Sequence, residues 1–178
     1  MWDVFLSYSS RDAVMADRVR EALCARKLTV WHDVERIREL DDIPSALADA
    51  LASTRLTVML VSHHHSSSRV CQWEALKSLA LGDTLGLDRI ALVLLDDSLP
   101  DLAPSLRRRR ALTLNADDAS LASAVEAIMN HPALRSVGIP ESTLATHPLV
   151  GLPGTSGNRF VFRLSTMLDM HAELAAGM

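Results

Sequence analysis

Leu56-Thr57-Val58-Met59-Leu60-Val61 is six apolar or β-branched residues in an unbroken row. A strand with one wet face would alternate polar and apolar positions, so an unbroken run is what a strand covered on both faces of a sheet requires. Ile90 to Leu95 repeats the pattern. Upstream, Val4-Phe5-Leu6 is a shorter apolar run halted by Ser7-Tyr8-Ser9-Ser10, which reads as a buried strand entering a polar loop. Leu28-Thr29-Val30-Trp31 is a further β-rich segment, and Ala111 to Leu114 a short edge strand.

Helical patterns separate these runs. Ala16, Val19, Ala22 and Leu23 recur at helical spacing, with Ser10 or Asp12 placed to cap free backbone N–H groups. Ile43, Ala46, Leu47, Ala50 and Leu51 follow Asp42 as cap, with Pro44 tolerated in the first turn. Trp73, Leu76, Leu79 and Ala80 mark a helix ending near Gly82, and Leu121, Ala124, Val125 and Ile128 a last one. The charged stretch Asp33 to Asp42, the segment Ser62 to Arg69 and the polar connection Asp96 to Arg110 read as loops. Strands alternating with helices imply a parallel sheet with right-handed crossovers and helices on both faces, an α/β doubly wound architecture.

With 178 residues, 48% of them hydrophobic, the chain can bury one sizeable core and carry an appendage. A net charge of -4 gives no polybasic field, so neither nucleic acid nor a membrane surface is expected as a partner. The run Arg107 to Arg110 reads as a solvated loop. No apolar stretch approaches the ~20 residues of a membrane helix, and no signal-peptide pattern precedes the first strand, so the expected location is cytoplasmic. Cys24 and Cys71 fall in helical patterns without C-x-x-C spacing, which fits reduced thiols. Beyond the last helix, Pro132, Pro140, Pro148 and Pro153 interrupt an aperiodic stretch. Phe160, Leu164, Met167, Leu168 and His171 then regain roughly helical spacing. Residues 1–130 are therefore expected to form the domain, and 131–178 a linker and tail that serves assembly or begins a second module.

Three local signatures, in order, resemble the Toll/interleukin-receptor (TIR) domain family over residues 1–130. Asp3-Val4-Phe5-Leu6-Ser7-Tyr8-Ser9 looks like that family's opening strand and loop. Val30-Trp31-His32-Asp33 and the charged loop after it are placed like the family's second strand and BB loop. Val70-Cys71-Gln72-Trp73-Glu74 resembles the W-C-x-x-E pattern whose glutamate is catalytic in NAD-cleaving members. The chain departs from the pattern twice: Val70 holds the tryptophan position, and Leu40 stands where the BB loop usually carries a small residue, which implies a stiffer loop. The resemblance implies a flavodoxin-like five-stranded sheet of order 2-1-3-4-5. It also implies NAD+ as substrate, with Glu74 catalytic and Tyr8, Ser9, Ser10, Asp33, Leu40 and Val70 lining the dinucleotide site. No separate cofactor is implied.

In such a sheet ligands sit beyond the carboxyl ends of the strands where the strand order reverses. The loops leaving the first three strands and the start of the helix carrying Glu74 would converge there. The chemistry suits one carboxylate: ordinary glycoside hydrolysis uses two because a poor leaving oxygen must be protonated. Nicotinamide is a cationic leaving group, so a single carboxylate need only orient the ribose and stabilise the charge developing on it. Other chemistries are less well supported. His63-His64-His65 are consecutive and lack an accompanying ligand cluster, so no metal is expected. No G-x-S-x-G elbow accompanies the abundant serines and histidines, and Gly151 to Gly157 lacks a phosphate-loop ending. Two functions stay open. One is an NAD+ glycohydrolase or cyclase activated by self-association in antiviral or cell-death signalling. The other is a non-catalytic adaptor acting through TIR–TIR contacts.

Overall fold

The computed structural model describes residues 1–32 and 45–135. Five strands form one sheet: β1 (Trp2–Ser7), β2 (Val30–Trp31), β3 (Thr54–Val61), β4 (Ile90–Leu94) and β5 (Ala111–Thr113). Every pairing is parallel and the order is β2-β1-β3-β4-β5, as expected. The chain steps outward from β1 to the edge at β2, then returns past β1 to β3. The order therefore reverses between β1 and β3.

Helices cover both faces, which is why β3 and β4 carry no polar alternation. Val4 and Leu6 of β1, Leu56, Val58 and Leu60 of β3, and Ala91 and Val93 of β4 face one layer. That layer is α1 (Ala13–Ala25), α6 (Asp118–Met129) and the short α7 (Pro132–Arg135), through Ala16, Val19, Leu23, Ala124, Val125, Ile128 and Ala133. The alternate positions Met59, Val61, Ile90 and Leu92 meet Ala75, Leu102 and Leu106 on the other side. Phe5 packs there with Leu47, Ala50 and Leu51 of α2 (Ser45–Ala52) and with Trp73. The Phe5 ring also stacks on Trp31 of the neighbouring strand, at 4.6 Å between centroids.

Several segments differ from the sequence expectation. Ser62 to Arg69 is not a loop: Ser62 caps a one-turn helix, α3 (His63–Ser67), and Ser68 then caps α4 (Arg69–Leu85). Consecutive serines here supply successive N-caps. Neither Ser10 nor Asp12 caps α1. Ser9 caps the single 3-10 turn Ser10–Asp12, and Asp12 accepts instead from Ser62. The connection after β4 holds a 3-10 turn at Leu99–Asp101 and α5 (Pro104–Arg107), because Leu102 and Leu106 bury themselves against the sheet. Within the arginine run, Arg109 is half-buried and pairs with Asp88 rather than standing in solvent. Ala133 of α7 also packs into the core. Among the described residues no helix is long and apolar enough to cross a membrane. The expectations for Asp33 to Pro44, including the Asp42 cap and Ile43, and for the tail from 136 onward lie outside the described residues.

α4 runs past Gly82 to Leu85 and stops at Gly86, whose φ of 63° is the left-handed cap that glycine adopts without penalty. Gly82 is needed for another reason: a β-carbon there would lie 2.8 Å from the backbone oxygen of Leu87, which folds back against the helix. Gly→Ala inside a helix ordinarily stabilises by about 1 kcal/mol. Here Gly82→Ala is expected to lower stability by about 1–3 kcal/mol, the usual range for overpacking. The check is the urea midpoint of the variant, and a midpoint at or above wild type would contradict the close approach.

Candidate active site

The buried residues of α4 are Cys71, Trp73, Glu74, Ala75, Ser78 and Gly82, so Trp73 is buried as expected and most of the buried stripe is small or polar. Of the other expected positions, Leu76 and Leu79 are half-buried and Ala80 is exposed. Small residues along the stripe let the helix lie close on the sheet, with Ser78 Oγ 3.0 Å from Thr57 Oγ1 of β3. Glu74 occupies the centre of that stripe, only 7% exposed. A carboxyl group thus sits where the packing would favour an apolar side chain.

Its partner comes from the end of β1. Ser7 Oγ donates to Glu74 Oε2 at 2.5 Å, and the same oxygen lies 3.2 Å from Nε2 of His65 on α3. Ser7, His65 and Glu74 therefore bring β1, α3 and α4 to one buried point at the carboxyl end of the sheet, at the strand-order reversal. A second contact closes the turn: the His65 backbone N–H donates to Ser62 Oγ at 3.0 Å, and Ser62 Oγ donates to Asp12 Oδ2 at 2.5 Å.

Burial dominates the electrostatics. Desolvation pushes the Glu74 carboxyl up to about 8, with the Ser7 hydrogen bond pulling the other way. His65 is pushed down to about 4 by burial, so its ring is neutral at physiological pH. Burial, and then the neighbouring Glu74 charge, raises the Cys71 thiol to about 12, which leaves it no thiolate for nucleophilic work. None of the ion pairs among the described residues includes Glu74.

The other expected lining residues are placed as follows. Val70 packs beside Phe5, Leu47 and Trp73, one turn before Glu74. Trp73 is a core residue, with the Lys77 ammonium 5.8 Å over its ring. Tyr8 packs against the α1–α6 layer, because strand alternation sends it to the face opposite Ser7. Ser9 is spent on its cap, and Ser10 is exposed. Asp33 and Leu40 lie outside the described residues. Ser7 and His65 are not singled out by the sequence. Ser7 reads as the start of a loop and His65 as one of a polar triplet, yet the odd register of Ser7 after Phe5 does point it to the α4 face.

The three histidines diverge as consecutive residues should. His64 is exposed and His65 buried, whereas His63 places Nδ1 2.9 Å from Asp101 and Nε2 3.1 Å from Asp97. Those two carboxylates, with Asp96, raise the His63 pKa. Contrary to the expectation that no ligand cluster accompanies the histidines, the loop after β4 brings Asp96 and Asp97 to His63, with potential ligand atoms within 4.8 Å of one another. Both ring nitrogens of His63 thus lie against carboxylate oxygens, contacts that a bound metal would have to displace. A surface cavity lined by Asp88, Ile90, Arg109, Leu112, Ile128 and His131 lies at the amino ends of β4 and β5, and shares no wall with the Glu74 cluster.

An acid whose pKa is raised on folding stabilises the protein least when it is ionised. Relative to an uncharged side chain, Glu74 costs nothing below its ordinary value of 4.5, and the cost grows as pH rises to about 8. Glu74→Gln should therefore melt above wild type, by a margin that widens between those two values and is constant above them. Thermal melts of both proteins across that range test this, and a pH-independent margin would contradict the buried, raised carboxyl.

A sequence model of the TIR domain family matches residues 4–128. No curated protein sequence matches the chain. Among solved structures, a metazoan TIR-STING receptor from C. gigas, in complex with 2',3'-cGAMP, aligns at 21% identity and a TM-score of 0.56. The alignment covers 72% of this chain and 39% of that one, so the chain spans about two fifths of the receptor. The TIR domains of the activated Roq1 resistosome, which directly recognises the pathogen effector XopQ, align at 17% identity and a TM-score of 0.58. There the alignment covers 72% of this chain and 98% of that one.

Proposed function

We propose, for a chain that belongs to the TIR domain family, that it cleaves the nicotinamide–ribose bond of NAD+, with Glu74 as the catalytic carboxylate. The observation that carries this reading is the carboxyl of Glu74, buried and unpaired with any described cation, at the carboxyl end of the sheet where the strand order reverses. A structural glutamate at a helix start gains from the helix dipole while exposed to water. Glu74 is instead held in the core, where its burial costs stability.

In the proposed reaction the C–N bond breaks and its electron pair leaves with nicotinamide, which becomes neutral. Positive charge develops on the ribose, and ionised Glu74 stabilises that charge while accepting hydrogen bonds from the ribose hydroxyls. Water then captures the ribose and releases a proton, giving ADP-ribose, or an adenine nitrogen captures it to give a cyclic isomer. Glu74 is protonated at neutral pH in the resting protein. The cationic nicotinamide ring favours its ionised form on binding, as any nearby positive charge does, and the carboxyl proton is released to solvent as the dinucleotide binds.

Self-association fits this resting state. Glu74 is too enclosed in the single chain to meet a ribose without some rearrangement of the surrounding loops, and TIR–TIR contacts are a source of free energy for it. The receptor and resistosome character of the structural neighbours supports a role in immune or cell-death signalling. The competing adaptor reading draws on the same burial, since an enclosed glutamate at Val70's side serves packing as well as chemistry.

Two measurements separate the readings. Wild type at high concentration with a crowding agent should release nicotinamide, and Glu74→Gln should reduce the rate by at least about 100-fold, the scale of removing a group that stabilises charge in the transition state. An adaptor would leave NAD+ intact with or without Glu74. In addition, kcat/KM reports ionisation of the free enzyme, so it should fall about tenfold per unit as pH drops below about 8. A profile flat through that region would exclude Glu74 as the ionising group.

A further inference from the structure

We propose that Ser7 and His65 are positioning residues for Glu74: a buried relay from His65 Nε2 through Ser7 Oγ to Glu74 Oε2 aims the carboxylate and makes it easier to ionise. The functional consequence rests on the reading of Glu74 as the carboxylate that meets the ribose. The relay itself is a statement about this fold.

The direction of the relay follows from counting protons. An ionised carboxylate only accepts, and the Ser7 hydroxyl has one proton to give. Once Glu74 is ionised, that proton points to Oε2 across the 2.5 Å contact, which then becomes a charge-assisted bond. Ser7 Oγ must then accept from His65, which places the ring proton on Nε2, 3.2 Å away. His65 Nδ1 is left as a bare acceptor. It is buried and has no partner among the described residues. Reversing the relay would move the ring proton to Nδ1 and bury an N–H with nothing to receive it, a penalty that holds the chain in the direction serving the carboxylate.

No other described group does this work. From the 3-10 turn after β1, Asp12 brings negative charge, and its carboxylate is taken by Ser62. On α4 the Cys71 thiol is neutral, and the Lys77 ammonium sits over the Trp73 ring. His65 is the remaining ionisable group on the α3 side of the cluster, and burial keeps it neutral. Two aligned neutral donors thus stand in for a cation. That arrangement allows Glu74 to ionise without forming an ion pair that a cationic nicotinamide ring would have to displace.

The test is a carboxyl-carbon NMR titration of the full chain labelled at glutamate, with the Glu74 resonance assigned by its loss in Glu74→Gln. The wild-type midpoint should lie near 8. Ser7→Ala should move it up by about one unit, the scale of a lost hydrogen bond to a charged group. His65→Phe should move it up by a smaller amount, and His65→Gln, which keeps an N–H near Nε2, should restore it. If Ser7→Ala does not fold, the Phe and Gln variants at position 65 make the same comparison. Unchanged or lowered midpoints in Ser7→Ala and His65→Phe would overturn the proposal. The pH profile of NAD+ cleavage should shift in parallel with the midpoints. Midpoints that shift as stated in a protein that releases no nicotinamide would uphold the relay and reject the NAD+ reading instead.

Discussion

The hydrogen bond between Ser7 and Glu74 joins the end of the first strand to the second turn of the helix that covers it, and the rest of the site is arranged around it. α4 presents small residues to the sheet so that it can approach closely, and this approach strips water from Glu74. In a looser packing the carboxyl would be hydrated and ordinary. Here it is confined beside the Ser7 hydroxyl, and its proton affinity is set by the fold.

The position of this contact is a consequence of topology. Because β1 lies between β2 and β3, the strand order reverses between β1 and β3, the place where sheets of this kind bind ligands at their carboxyl ends. Ser7 is the last residue of β1, and Ser62 follows β3 directly and caps α3. The serine-rich segment is therefore a compact hinge of two successive helix starts, and it carries His65 inward while His63 is held outward by Asp97 and Asp101. A site of this kind stores its cost in one buried ionisable group, in keeping with the common opposition between stability and activity.

The fold was largely legible in the residues, for a physical reason. Strands buried on both faces must be apolar throughout, so Leu56 to Val61 and Ile90 to Leu95 announced a covered sheet, and helical spacing placed α1 and α6. The face of α4 was only partly legible. Trp73 is buried as its hydrophobicity suggests, but the rest of the buried set is small or polar side chains, which hydropathy ranks below Leu76 and Leu79. Glu74 was found through the TIR resemblance and its place near a helix start; its burial was not visible. Ser7 was within reach of strand alternation, since Phe5 and Ser7 share a face and Tyr8 does not. His65 was not, because whether a histidine after a strand points in or out depends on the one-turn helix that Ser62 caps.

The central claim is that the crevice holding Glu74 receives NAD+. A crystal structure of Glu74→Gln soaked with NAD+ tests it directly, since the variant keeps the side chain's shape and its capacity to accept and donate hydrogen bonds while removing the charge. The account predicts the nicotinamide ribose within hydrogen-bonding distance of the residue-74 amide, between the segments that follow β1 and β3. A dinucleotide ordered elsewhere, such as at the amino ends of β4 and β5, or a crevice still empty at saturating NAD+, would contradict it.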